Sequence, residues 1–205
     1  SAPLPPRPAP ESITAQPHGP ALEIRSTGLQ PLFQDTGRHG QAGQGVSVSG
    51  AVDQRALRAA NRMVGNASDM ACVESACGGF EFVCRGEAVV AFTGADAPLV
   101  VTSASGASWS VPGYQAVALS DGDSLVLGKP RAGIRSYLAV RGGFAIAPVL
   151  GSCSTDTLAR VGPAAIATGD VLPIRAGARG AIVGLPEQAP GALPTMGEAM
   201  TLGVV

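Results

Sequence analysis

From about residue 70 onward, glycine-centred turn signals cut the chain into short segments with a hydrophobic period of two. Such punctuation leaves little room for anything but a mainly β fold. The turns read as Gly78-Gly79, Arg85-Gly86-Glu87, Gly94-Ala95-Asp96, Asp121-Gly122-Asp123, Arg131-Ala132-Gly133, Arg141-Gly142-Gly143 and Gly169-Asp170. Between and around them lie strand candidates: Ala71 to Ser75, Phe80 to Cys84, Ala88 to Thr93, Leu99 to Thr102, Gln115 to Leu119, Ser124 to Leu127, Ile134 to Val140, Val171 to Ile174 and Ala181 to Leu185. Two earlier strands are expected at Leu22 to Arg25 and Leu29 to Phe33. Strands this short and this many predict a closed or nearly closed barrel, which leaves few edges open. The 28 glycines and 17 prolines exceed a fifth of the 205 residues, with no collagen period.

One segment breaks the pattern. In Asp53 to Val64, residues Ala56, Leu57, Ala60, Met63 and Val64 recur at helical spacing, and Asp53 can cap the first turn. Gly65-Asn66 supplies the stop. A lone helix beside a barrel would cover an open end or a flank. A helical turn is also expected near Thr155 to Ala159.

Residues 1–20 hold seven prolines and few large apolar groups, the composition of a linker or tail. Residues 21–186 read as the β-barrel region, and 187–205 as a divergent or truncated C-terminal segment. Net charge is -1, with 14 basic against 15 acidic side chains, so no field of one sign would attract nucleic acid. No run of 18 apolar residues argues for a membrane span. With neither span nor visible signal peptide, the expected location is cytoplasmic. Cys72, Cys77, Cys84 and Cys153 form no CxxC pair and read as free thiols; with only His18 and His39 besides, no metal site is expected.

Chemistry-bearing groups concentrate between Asp35 and Asp53, where two carboxylates, an arginine, a histidine and two serines accompany a glycine-rich backbone. Loops on a rigid scaffold collect binding groups, and this one runs into the N-terminus of the helix. Asp35 and Arg38 would either pair with each other or clamp a polar substrate. Ser49 has no histidine base nearby, and His39 reads as a bystander. Gly50 would let backbone approach a ligand. Glu74 lies inside a strand; it is a candidate base if it faces the barrel mouth and a solvated residue otherwise. The turn Thr93-Gly94-Ala95-Asp96 would either bind an oxyanion through its N–H groups or simply cap itself. Arg141, Ser154 and Asp156 belong to the last polar clusters. No P-loop occurs, since Gly128-Lys129 is followed by proline.

Several separate runs, in order, carry a resemblance: Gln34-Asp-Thr-Gly-Arg-His-Gly40, Gly45-Val-Ser-Val-Ser-Gly-Ala-Val-Asp53, Ala59-Ala-Asn-Arg-Met-Val-Gly-Asn66, Glu74 with Gly78-Gly79, Phe92-Thr-Gly-Ala-Asp96, Arg135-Ser-Tyr-Leu-Ala-Val-Arg-Gly-Gly143 and Val149-Leu-Gly-Ser-Cys-Ser-Thr-Asp156. The chain resembles the allophanate hydrolase subunit 2 family, also described as biotin-dependent carboxyltransferase-like, which includes a subunit of the bacterial 5-oxoprolinase. The resemblance implies cyclophilin-like β-barrels, a second of them incomplete here, and a partner or fused domain of the subunit-1 type. It implies family positions at Asp35, Arg38, Ser49, Asp53, Asn61, Glu74, Asp96 and Asp156. Cys153 stands where a basic residue would be expected. The implied activity is ATP-dependent opening of 5-oxoproline to glutamate; the alternatives are carboxyl transfer from biotin to a urea or amide, and a non-catalytic regulator binding a kinase-inhibitor-like partner. Catalytic roles are expected at Asp53, Glu74 and Asp96, and substrate contacts at Asp35, Arg38, Ser49, Gly50, Asn61, Gly94, Arg141, Ser154 and Asp156. Biotin, where used, would come from another domain, since the chain has no Met-Lys pair.

Overall fold

A computed structural model describes residues 19–175, 183–191, 193–199 and 201. All but the last two residues of the expected linker, and the start of the expected strand at Ala181, lie outside them.

Among the described residues nine strands and one α-helix follow in order: β1 (Ala21–Gln34), α1 (Gln54–Met63), β2 (Cys72–Arg85), β3 (Ala88–Asp96), β4 (Leu99–Thr102), β5 (Ser108–Val111), β6 (Ala116–Leu119), β7 (Ser124–Leu127), β8 (Ala132–Val140) and β9 (Val171–Pro173). All pairings are antiparallel. The hydrogen-bonded path runs β5-β4-β7-β2-β8-β3-β6, with β1 and β9 added beside β2. Its end strands β5 and β6 do not pair, so the sheet curls into a nearly closed barrel with one unsealed seam. No second barrel is found among the described residues.

The long β2 explains the curl. Sequence reading places a turn at Gly78-Gly79, yet the strand continues through it. Thr27 of β1 pairs with Phe80 and Leu29 with Ala76, so β1 follows β2 across the bend. On its other edge β2 pairs with β8 through Val73 to Ala76 and with β7 through Phe80 to Val83. Cys77, Gly78 and Gly79 all have positive φ. A Cβ on Gly78 would lie 2.1 Å from the Gly128 carbonyl oxygen, so only glycine lets the two backbones meet. The two expected strands before residue 34 merge in the same way into one bulged β1.

Alternation sorts the side chains. Inward positions Leu22, Phe33, Val73, Phe80, Phe82, Val90, Phe92, Leu125, Leu138 and Val140 form the barrel core. Outward positions Cys72, Ala91, Tyr137 and Ala139 form a second core with Ala56, Leu57, Ala60, Met63 and Val64 of α1. The helix therefore covers a flank. Alanines on both surfaces bring it close, and Leu57 and Met63 each contribute about 1.5–3 kcal/mol by burial. Asp53 caps it, accepting from the Arg55 and Ala56 N–H groups at 3.0 Å each. The segment after Ser154 forms no helix; Asp156 instead closes a turn by accepting from Leu158 and Ala159 N–H.

Candidate functional site

The loop between Asp35 and Asp53 is zipped along its arms. The Arg38 N–H donates to the Val48 carbonyl at 2.6 Å, and the Ala51 N–H to that of Asp35 at 2.9 Å. The Gly50 N–H donates to Gln34 Oε1, and a Cβ on Gly50 would lie 2.9 Å from Gly37 Cα. Gly50 thus serves backbone approach to the loop's other arm.

Asp35 is a structural hub. It accepts from the Gly37 N–H, the Cys153 N–H, and the hydroxyls of Ser152 and Ser154 at 2.7 and 2.6 Å. Burial alone would raise its pKa, but these four donors together hold it below the ordinary aspartate value. Arg38 is only 1% exposed. Its Nε donates to the Val149 carbonyl at 2.9 Å and its Nη2 to that of Ser154 at 2.8 Å. Neither the expected Asp35–Arg38 pair nor an open substrate clamp forms, because the carbonyls of the 149–154 segment capture the guanidinium. Ser154, fully buried, is spent on Asp35 as well. Ser49 donates to Asp156 Oδ2 at 3.1 Å, and Ser47 donates to the same oxygen. These bonds, Ser47 first, hold the Asp156 carboxyl below its usual value.

Where the loop meets α1 the geometry changes. Glu74 is 2% exposed, on the outward face of β2 directly opposite Tyr137 of β8. Its Oε2 accepts from the Tyr137 hydroxyl at 2.7 Å and the Val52 N–H at 3.0 Å; its Oε1 takes Nη1 of Arg135 at 2.9 Å. The Tyr137 hydroxyl in turn accepts the Asp53 N–H at 2.7 Å. Burial, followed by the proximity of the carboxylates, pushes the Tyr137 phenol far up, so it stays protonated and donates. Glu74 therefore does not face the barrel mouth, and all its capacity is committed to fixing Arg135 and the helix start.

Arg135, with 38% of its side chain exposed, lines a groove of about 400 Å³ together with Val52, Asp53, Gly94, Ile134 and Pro194. Only its Nη1 bonds to a described residue. Asp53 uses Oδ1 for both capping bonds, which leaves Oδ2 without a described partner. Val52 and Ile134, 72% and 63% exposed, make the rims apolar. The groove can thus present a guanidinium fork and a carboxylate oxygen between apolar walls. That suits a compact molecule with an anionic or carbonyl oxygen.

Other expected site residues lie elsewhere. Asn61 is fully buried and joins Met70, Cys72 and Asn66 behind the helix; Arg141 donates to the Val64 carbonyl at the helix C-terminus. The Gly94 N–H is donated to the Tyr114 hydroxyl at 3.0 Å, so it is not an open oxyanion donor. Asp96 is exposed and faces Arg131 at 3.5 Å. Sequence reading noted Arg135 and Tyr137 only within a run that carries the resemblance and gave neither a role in the site. The available signal was their spacing of two in an otherwise apolar strand opposite an acidic strand residue. All four cysteines are free thiols. Among the described residues no group of histidine, cysteine and carboxylate side chains could hold a metal, and no helix is long and apolar enough to cross a membrane.

A family model described as carboxyltransferase domain, subdomain A and B, matches residues 44–203. The chain is 37% identical over 157 residues to a 5-oxoprolinase subunit of Escherichia coli (strain K12), covering 75% of this chain and 49% of that protein. It is 36% identical over 143 residues to urea amidolyase of Saccharomyces cerevisiae, covering 69% of this chain and 8% of that protein. A crystal structure of TTHA0988 superposes with TM-score 0.78 at 32% identity, over 95% of this chain and 38% of that one. The chain therefore spans about half the length of the bacterial relative and less of the other two proteins.

Proposed function

The chain belongs to the family of carboxyltransferase domains, subdomains A and B, and from that premise we propose that it is one component of an ATP-dependent 5-oxoprolinase. It would act with a subunit-1-like partner, or a fused domain of that type, to open 5-oxoproline to glutamate. The observation that carries this reading is the Arg135 groove. The buried Glu74 carboxylate aims a guanidinium at a pocket of substrate size, beside a carboxylate that retains one unengaged oxygen.

In this reading Arg135 holds the substrate carboxylate and Asp53 Oδ2 manages a proton. Opening the lactam breaks its C–N bond; water supplies the new carboxylate oxygen, and the ring nitrogen takes up a proton. Glu74 and Tyr137 are positioning residues. ATP does not fit the described residues: Asp53 occupies the donors at the start of α1, and the glycine-containing loop before that helix is closed on itself by the Arg38–Val48 and Ala51–Asp35 backbone bonds. Nucleotide handling is therefore assigned to the partner.

The similarity to urea amidolyase favours a second reading, carboxyl transfer to a urea or amide. There biotin, carried on another domain, would supply the carboxyl group. The apolar rims and Arg135 fit a carboxylated ring.

The test mixes the full chain with its natural partner and measures ATP consumption with 5-oxoproline or with urea. Consumption coupled to glutamate formation supports the proposal. Dependence on urea moves the chain to the second reading. A stable complex without turnover on either substrate makes it a regulator of its partner.

A further inference from the structure

A second cavity lies inside the barrel mouth, on the opposite wall face from Arg135. It measures about 230 Å³ and is lined by Phe92, Gly94, Leu99, Tyr114, Leu127 and Ser136, with Asp96 at its edge. Pro112, Gly113 and Tyr114 join β5 to β6, so this cavity opens at the unsealed seam.

Its polar end is unusual for a barrel interior. Ser75 of β2 and Ser136 of β8 are directly opposite each other in register, so both side chains share the inward face, with their Cβ atoms about 5 Å apart. Gly94 of β3 continues the row on the other side of Ser136. One layer deeper the same strands place Val73, Leu138 and Phe92 in the apolar core. Two hydroxyls and a missing side chain therefore replace a core layer. Ser75, beside Ser136 but not itself lining the cavity, is 1% exposed, and its hydroxyl has no partner among the described residues. Ser136 is 3% exposed, and its hydroxyl bonds to no described residue. The Tyr114 hydroxyl accepts from Gly94 and finds no acceptor for its own proton among the described residues. A buried hydroxyl left unbonded destabilises the fold, and natural cores leave few.

We propose that this cavity is a binding site for a compact, uncharged molecule with a carbonyl or hydroxyl oxygen on an apolar frame. Phe92, Leu99 and Leu127 would take the frame, and the hydroxyls of Ser136 and Tyr114 would take the oxygen. Among the described residues no cationic side chain lines the cavity and the one charged group is Asp96, so it does not suit an anion. It differs in this from the Arg135 groove. The proposal needs neither a partner nor turnover, so it stands or falls separately from the oxoprolinase reading.

The experiment titrates the isotope-labelled full chain with 2-pyrrolidinone as the neutral probe and acetate as the anionic one, following backbone amide shifts. Saturable shifts at Gly94, Tyr114 and Ser136 with 2-pyrrolidinone alone are expected. Binding should be lost in Ser136→Leu, which fills the cavity, and weakened at least five-fold in Ser136→Ala, which keeps the volume and the fold. If Ser136→Leu does not fold, Ser136→Ala decides. Absence of saturable shifts, equal response to acetate, or unchanged affinity in Ser136→Ala would overturn the proposal and leave the hydroxyls to buried water.

Discussion

Replacing Glu74 separates its anchoring role from a catalytic one. The carboxylate accepts from three donors: the Val52 N–H, the Tyr137 hydroxyl and Arg135 Nη1. In Glu74→Gln one acceptor oxygen becomes an NH₂ group. Placed at Oε2, that group leaves the Val52 N–H without an acceptor, at a cost of about 1–3 kcal/mol. Placed at Oε1, it faces the guanidinium; because Arg135 is 38% exposed, losing that ion pair costs about 1 kcal/mol. The second arrangement wins, so Glu74→Gln should destabilise by about 1 kcal/mol, lower Tm by roughly 2–4 °C, and release Arg135. Glu74→Leu leaves all three donors without their acceptor and should cost about 3–5 kcal/mol. The assay is urea and thermal unfolding of Glu74→Gln, Glu74→Leu, Arg135→Gln and the Glu74→Gln/Arg135→Gln double variant. A coupling energy of about 1 kcal/mol between the two sites is expected. A Glu74→Leu protein within about 0.5 kcal/mol of the parent would refute the reasoning, since surface substitutions typically fall in that range.

Asp35 has a folded pKa held below its unfolded one, so its contribution is present above the unfolded value, near pH 4, and lost as pH falls through the folded one. Asp35→Asn should therefore be less stable at neutral pH and show a flatter acid limb; parallel stability profiles would exclude this. Arg38→Met keeps much of the volume but abandons the Val149 and Ser154 carbonyls, and should cost about 3 kcal/mol or more in urea unfolding. An unchanged midpoint would show that the guanidinium is not a staple. Asp53→Asn retains an N-cap residue while removing the proton acceptor. Turnover of the complete assembly should fall by about 100-fold or more with Tm nearly unchanged, whereas equal turnover would remove Asp53 from proton transfer.

Local pattern made the helix legible: its apolar spacing, its Asp53 cap and its buried face all follow from residues 53–64. Most strands were legible for the same reason. Ser108-Trp-Ser-Val111 was missed because its alternation extends over only two apolar residues, Trp109 and Val111, in a four-residue end strand that stays largely exposed. The bend at Gly78-Gly79 looked like a turn because glycine permits both, and only the pairing with β1 distinguishes them. The polar loop was correctly seen as dense in chemistry, but its groups are largely consumed from a distance. Asp35 and Arg38 are satisfied by residues more than a hundred positions later. Arg135 gains its importance only when strand register sets it beside Glu74. Such long-range closure is set by the fold as a whole, and its local trace is no more than the spacing of two polar residues in an apolar strand.

The most direct measurement is steady-state glutamate formation from 5-oxoproline by the full chain with its natural partner, comparing the parent with Arg135→Lys. Lysine keeps a positive charge for Glu74 but loses the planar fork that the proposed substrate contact requires. The expected result is a KM at least ten-fold higher with Tm within a few degrees of the parent. Parent-like KM and kcat in Arg135→Lys, with the fold intact, would contradict the assignment of Arg135 as the substrate clamp.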